Sequence, residues 1–199
     1  MWDLTSADLR ARTASADPTP GGGSVAAVTA ALGGALVLMA LEITARRGPA
    51  AAVEDALATG RALVDRLGSA ADRDVELFED YLRARRLPRS TDEERAARRA
   101  AVAAASTAAT EGPLTAADDA VRALEWAFSV LPVVSASVVS DVRAGADLLL
   151  GSALATLRGA EANVALMGAD DPVAHALSAR LQAVRRAAAA AHTRIEEHR

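Results

Sequence analysis

Residues 25–41 read Val-Ala-Ala-Val-Thr-Ala-Ala-Leu-Gly-Gly-Ala-Leu-Val-Leu-Met-Ala-Leu, and the nature of this run decides the fold. It is apolar apart from Thr29, stops at Glu42, and at about 17 residues lies at the short limit for crossing a bilayer. Alanine and glycine dominate it, where a membrane span would carry leucine and phenylalanine. Ala26, Ala30 and Gly34, each four apart, form one stripe of small residues, and Ala27, Ala31 and Ala35 form another, so neighbouring helices can approach closely. The run therefore reads as a central helix of a bundle and not as a membrane span.

The flanking sequence agrees. The 199 residues include 52 alanines and only five aromatics, and alanine is the best helix former while strand-favouring residues are sparse. From Ala50 to about Arg86 the residues Val53, Leu57, Val64, Leu67, Val75, Phe78 and Leu82 recur at helical spacing. Leu87-Pro88 breaks this helix, and Asp92 or Thr91 can cap an Arg-rich helix running to about Thr110, before Gly112-Pro113. Further helices are predicted over Thr115–Val130, Asp141–Met167 and from Pro172 to the C-terminus, with Val133–Ser140 as the one segment that could be extended. No alternating strand pattern and no repeat of 20–50 residues is visible. The expectation is one all-α domain over residues 1–199, a helical bundle with long, small-residue-rich central helices.

Composition removes several mechanisms. Arginine supplies all 22 basic residues; lysine and cysteine are absent, and Asn163 and Gln182 are the sole side-chain amides. Schiff-base chemistry, a Lys-containing phosphate loop, thiolate nucleophiles, disulfides and thiolate-held metals are excluded. Net charge is −4, against general nucleic-acid binding, and the start MWDLTSADLR lacks the pattern of a secretory signal, so a cytoplasmic protein is expected. His175, His192 and His198 lack the i, i+4 spacing of a zinc helix and read as surface residues, with no metal site. The arginines flanking Pro88 are interleaved with Glu79, Asp80, Asp92, Glu93 and Glu94 and read as a self-paired, solvated face.

Three places could carry chemistry. Asp17-Pro18-Thr19-Pro20-Gly21-Gly22-Gly23-Ser24 precedes the small-residue helix; its glycines let backbone approach a ligand, and a helix beginning near Ser24 would aim N–H groups and positive dipole at it. The alternative is a rigid connection ending in an N-cap serine. On the helix from Ala50, Asp74 lies about 60° from the centre of the apolar seam, Asp72 about 100° on the other side and Glu76 about 140° away. A carboxyl at the seam's edge is partly desolvated, which suits it to donate and recover a proton, or to form an interfacial salt bridge. Asn163 shares the inward face of its helix with Leu149, Ala153, Thr156 and Ala160, so its amide needs a ligand or a facing backbone as partner. Ser140-Asp141 could be that helix's cap; Asp141 and Asn163 lie about 33 Å apart along it and cannot share a site within one chain.

PTPGGGSVAA (residues 18–27), the DxxxF element Asp74–Phe78, RLP, TDEERAARRAAVAAA, GPL, SD and GAxxNV (Gly159–Val164) follow one another in an order and spacing that resemble the formiminotetrahydrofolate cyclodeaminase / methenyltetrahydrofolate cyclohydrolase family. The resemblance spans nearly the whole chain. It implies an all-helical, homodimeric enzyme of one-carbon folate metabolism that uses no metal or organic cofactor. One family reaction closes 5-formiminotetrahydrofolate to 5,10-methenyltetrahydrofolate with release of ammonia, and it is placed first here; the other hydrolyses the methenyl bridge to 10-formyltetrahydrofolate. The resemblance further implies Asp74 as the proton donor, ahead of Asp72, with Pro20, Gly21, Gly22, Gly23 and Ser24 lining the folate cleft and Asp141 and Asn163 binding substrate across an antiparallel dimer. The family's usual asparagine before the Ser-Asp pair is missing, and Met167 stands where its second asparagine falls. The alternative is therefore a non-catalytic relative, a helical module that binds a ligand or a partner.

Overall fold

Among the described residues, 1–167 and 170–198 of a computed structural model, regular structure is confined to helices. They are α1 (Ser6–Thr13), α2 (Gly22–Ala45), α3 (Ala51–Arg86), α4 (Asp92–Val130), α5 (Val139–Ala165) and α6 (Pro172–Glu197), with one 3₁₀ turn at Ala136–Val138. α2, α3, α4 and α5 pack in that cyclic order, α5 closing back onto α2, and α6 lies along α4 and α5. Short connections make successive helices antiparallel. The shared core is aliphatic: Leu41, Leu67, Leu114, Leu124, Leu149 and Leu157 are fully buried, each side chain stabilising the fold by about 2 kcal/mol relative to exposure.

α2 contains the apolar run 25–41. It is long and apolar enough to span a membrane, yet 61% of its most apolar window is buried inside the bundle, as a core helix requires. Its closest crossing is with α5. A Cβ on Gly33 would lie 2.8 Å from the Gly145 carbonyl oxygen, and one on Gly145 would lie 2.6 Å from the Gly33 oxygen. The two backbones meet at a distance that only glycine permits on both sides.

Helices α3 and α4, of 36 and 39 residues, are longer than α2 and α5, of 24 and 27, and outrun them by roughly 18 Å at 1.5 Å per residue. They project as a hairpin whose tip carries the arginine-rich turn. There Arg83 pairs with Asp80 and Arg95 with Asp92, in line with a self-paired face. Thr91 is the cap of α4, in a reciprocal capping box with Glu94.

The structure corrects three local readings and adds one helix. Gly112-Pro113 does not end a helix, because α4 runs unbroken through Pro113. α2 begins at Gly22 with Gly21 as its cap, so Ser24 lies inside the first turn and is not the N-cap. Val133–Ser140 is turn and 3₁₀ helix leading into α5, not extended chain. Finally, Ser6–Thr13 forms α1, capped by Thr5 Oγ1 accepting from the Asp8 N–H; it buries no residue, and its weak amphipathic pattern gave no signal in the sequence. At the C-terminal end α6 stops at Glu197, and residue 199 lies outside the described residues.

Candidate functional site

The site forms at one end of the bundle, where the start of α2, the second half of α3, the middle of α4 and the end of α5 converge. Because Gly21 offers no side chain, the first N–H groups of α2 have no side-chain cap. Asp74 of α3 lies against this turn. Ser24, fully buried, donates its hydroxyl hydrogen to Asp74 Oδ2 at 2.6 Å. A Cβ on Gly23 would overlap Asp74 Oδ1, so the carboxylate occupies the space that any other residue at 23 would fill. One oxygen is therefore held by a hydroxyl and the other rests on a bare helix turn.

Asp74 stands where two lobes of one cleft meet, together with Gly23, Leu77, Pro113 and Thr156. The larger lobe, about 540 Å³, is mostly apolar, walled by Leu77, Phe78, Tyr81, Val102, Leu166 and Met167. The smaller, about 420 Å³, carries the ionisable side chains Arg66, Arg73, Glu111 and Asp119 on its walls, together with Thr115. Asp119 is anchored by Arg122 at 3.1 Å and faces Arg66 at 3.6 Å. Both volumes suit a small organic ligand, and a ligand that spans both lobes would pass Asp74 at its middle.

The sequence candidates divide accordingly. Gly21, Gly22, Gly23, Asp74 and Asn163 line the larger lobe. Ser24 is sealed from it and reaches the cleft only through Asp74. Pro20 is buried and borders a neighbouring groove, while Pro18 and Thr19 reach the cleft. Asp72 turns away to bind the Met1 ammonium, and Glu76 is exposed. Asp141 lies in the first turn of the unbroken α5 and Asn163 in its last, so the two stand at opposite ends of that helix. His192 bonds Asp147 at 2.6 Å with Glu196 beside them, on the surface formed by α5 and α6 and outside the cleft.

Asn163 Nδ2 donates to the Ala109 carbonyl oxygen at 2.9 Å. Ala109 stands four residues before Pro113, and its oxygen is the one that a residue-113 N–H would normally engage. A proline inside a helix costs about 3 kcal/mol in part because that carbonyl loses its donor; here the amide of another helix supplies one. Sequence reading found the inward amide and the proline separately. Their pairing had no local signal, since they stand 50 residues apart in the chain.

A family model for formiminotransferase-cyclodeaminase matches residues 5–183. The chain belongs to the formiminotransferase-cyclodeaminase family. Within curated relatives, the methenyltetrahydrofolate cyclohydrolase of Methylorubrum extorquens is 37% identical over 155 residues, covering 76% of this chain and 73% of that protein. Among solved structures, the formiminotetrahydrofolate cyclodeaminase of Thermotoga maritima superposes with a TM-score of 0.82 over 98% of this chain and 94% of its own, at 19% identity, a likeness of fold. One-carbon folate chemistry of the cyclodeaminase and cyclohydrolase kind is the function this membership supports.

Proposed function

We propose that this protein is a cytoplasmic, homodimeric 5,10-methenyltetrahydrofolate cyclohydrolase with Asp74 as its general base and acid. The observation that carries the reading is the half-buried Asp74 carboxylate, anchored by Ser24 and standing where the two lobes of the cleft meet. The cyclohydrolase name of the 37%-identical relative favours hydrolysis over cyclodeamination.

The methenyl bridge is a cation shared by N5, the bridging carbon and N10, and a facing carboxylate complements that charge. Asp74 takes a proton from water as the water oxygen bonds to the bridging carbon, giving a neutral tetrahedral centre. The resulting carboxylic acid returns the proton to N5 as the carbon–N5 bond breaks. The new hydroxyl loses its proton to solvent and becomes the formyl carbonyl on N10. Water and the methenyl cation thus yield 10-formyltetrahydrofolate and one proton. The first-turn N–H groups of α2, beside Gly22 and Gly23, favour negative charge developing on that oxygen.

The same carboxyl suits cyclodeamination, the second reading, favoured by the family match. N10 would attack the formimino carbon, and the proton it loses together with the one from the acid would convert the formimino nitrogen to ammonia as its bond to carbon breaks, leaving the methenyl cation and the Asp74 carboxylate. Purified protein is tested with each folate, followed by methenyl absorbance. Loss of absorbance from the methenyl substrate supports hydrolysis; appearance from 5-formiminotetrahydrofolate supports cyclodeamination. No change with either, in folded protein, leaves the non-catalytic reading.

The dimer belongs to the proposal because α2 carries an outer apolar stripe that the bundle leaves uncovered. Leu32 is 53% exposed and Met39 39%, beside Leu148 of α5 at 37%. A second copy packed antiparallel on this face would bring its own Asp141 end toward the Asn163 end of the first.

A further inference from the structure

We propose that Pro113 and Asn163 act as a pair, in which the proline sets the orientation of the amide and thereby gives the cleft a fixed hydrogen-bond acceptor. The identity of the ligand rests on the folate reading above; the pairing does not. Pro113 lies inside α4 and removes the N–H that would close on Ala109. Asn163 Nδ2 occupies that vacant partnership at 2.9 Å. A carbonyl can only accept, so the nitrogen must face α4, with one of its two N–H bonds committed to Ala109 and Oδ1 turned to the other side.

What remains beside the second N–H is Oδ1. It has no protein partner among the described residues, and both Asn163 and Pro113 line the larger lobe together with Asp74. A ligand group opposite Oδ1 must therefore be a hydrogen-bond donor. A reduced pterin carries several, on its ring nitrogens and exocyclic amine, whereas an anionic tail carries no suitable donor at its carboxylates. Asn163 is thus a specificity residue and Pro113 a positioning residue acting through it.

A double-mutant cycle with Pro113→Ala and Asn163→Asp tests this, read by thermal melting and by KM and kcat for 5,10-methenyltetrahydrofolate. Asn163→Asp alone sets a carboxylate against the Ala109 carbonyl, so Tm falls and KM rises about tenfold. Pro113→Ala alone restores the N–H, which captures Ala109 and frees the amide. Its Tm is equal or higher, while KM rises about fivefold with a smaller change in kcat.

In the double variant the restored backbone N–H at position 113 already satisfies Ala109, so the loss of Tm caused by Asn163→Asp disappears. Additive changes in Tm overturn the pairing. Should Asn163→Asp alone fail to fold while the double variant folds, the pairing is supported. Unchanged KM in Pro113→Ala, beside a non-additive Tm, overturns the proline's positioning role. A wild type inert toward both folates overturns the assignment of the ligand, and the melting cycle then still decides the pairing by itself.

Discussion

Ser24 holds Asp74 from inside the protein, its buried hydroxyl donating to Oδ2 at 2.6 Å while the other carboxylate oxygen faces the turn at Gly23. The serine and aspartate lie on neighbouring helices, so the relationship joins the α2–α3 packing directly to the candidate chemistry. It separates a group that would touch substrate from one that positions it.

Asp74→Asn keeps the size and the Ser24 contact but can no longer exchange a proton at that position. Turnover of the methenyl substrate should fall by about 100-fold or more with little change in Tm. Stopped-flow absorbance and a melting curve on the same preparation check this, and near-normal turnover removes Asp74 from the acid–base role.

Ser24→Ala leaves Asp74 in place without its donor. The expected result is a loss of about tenfold in kcat, smaller than for Asp74→Asn, with a change in the pH dependence of kcat that a purely structural lesion would not produce. Ser24→Thr keeps the hydroxyl and should restore part of the loss.

Gly23→Ala sets two effects against each other. In the first turn of a helix, alanine is favoured over glycine by up to about 1 kcal/mol. The added Cβ would overlap Asp74 Oδ1 and must displace the carboxylate. Activity should therefore fall nearly as far as in Asp74→Asn while Tm holds. A fully active Gly23→Ala enzyme would show that the carboxylate's observed place is not the working one.

Gly33→Ala should behave in the opposite way. Its Cβ meets the backbone oxygen of Gly145, which cannot rotate aside, so α2 and α5 must separate. A cost of about 1–3 kcal/mol is expected, lowering Tm by roughly 2–4 °C per kcal/mol. Differential scanning calorimetry tests the size of the effect.

Leu32→Glu with Met39→Glu places charge on the uncovered stripe of α2 without touching the core. If two copies meet there, sedimentation should change from dimer to monomer. A wild-type protein that is already monomeric sinks the dimer and, with it, any role for Asp141 at the cleft.

The amino-acid sequence by itself determined the long helices α2, α3, α5 and α6 and which of their faces turn inward. The reason is that the 3.6-residue period is a local property: Val53, Leu57 and Leu67 mark the buried side of α3 without knowledge of what covers it, and they place Asp74 at its margin. Asn163 could be assigned to an inward face in the same way. What only the tertiary structure decided is which groups satisfy one another across helices. Pro113 reads as a helix end because its missing N–H is local, whereas the donor that lets α4 continue comes from Asn163 in α5. Likewise Gly23 looks like a flexible loop residue until Asp74 from α3 is found in the space its side chain would fill. Hydrogen bonds and close approaches between distant segments depend on packing angles and distances that no local period encodes, and here they assemble the site.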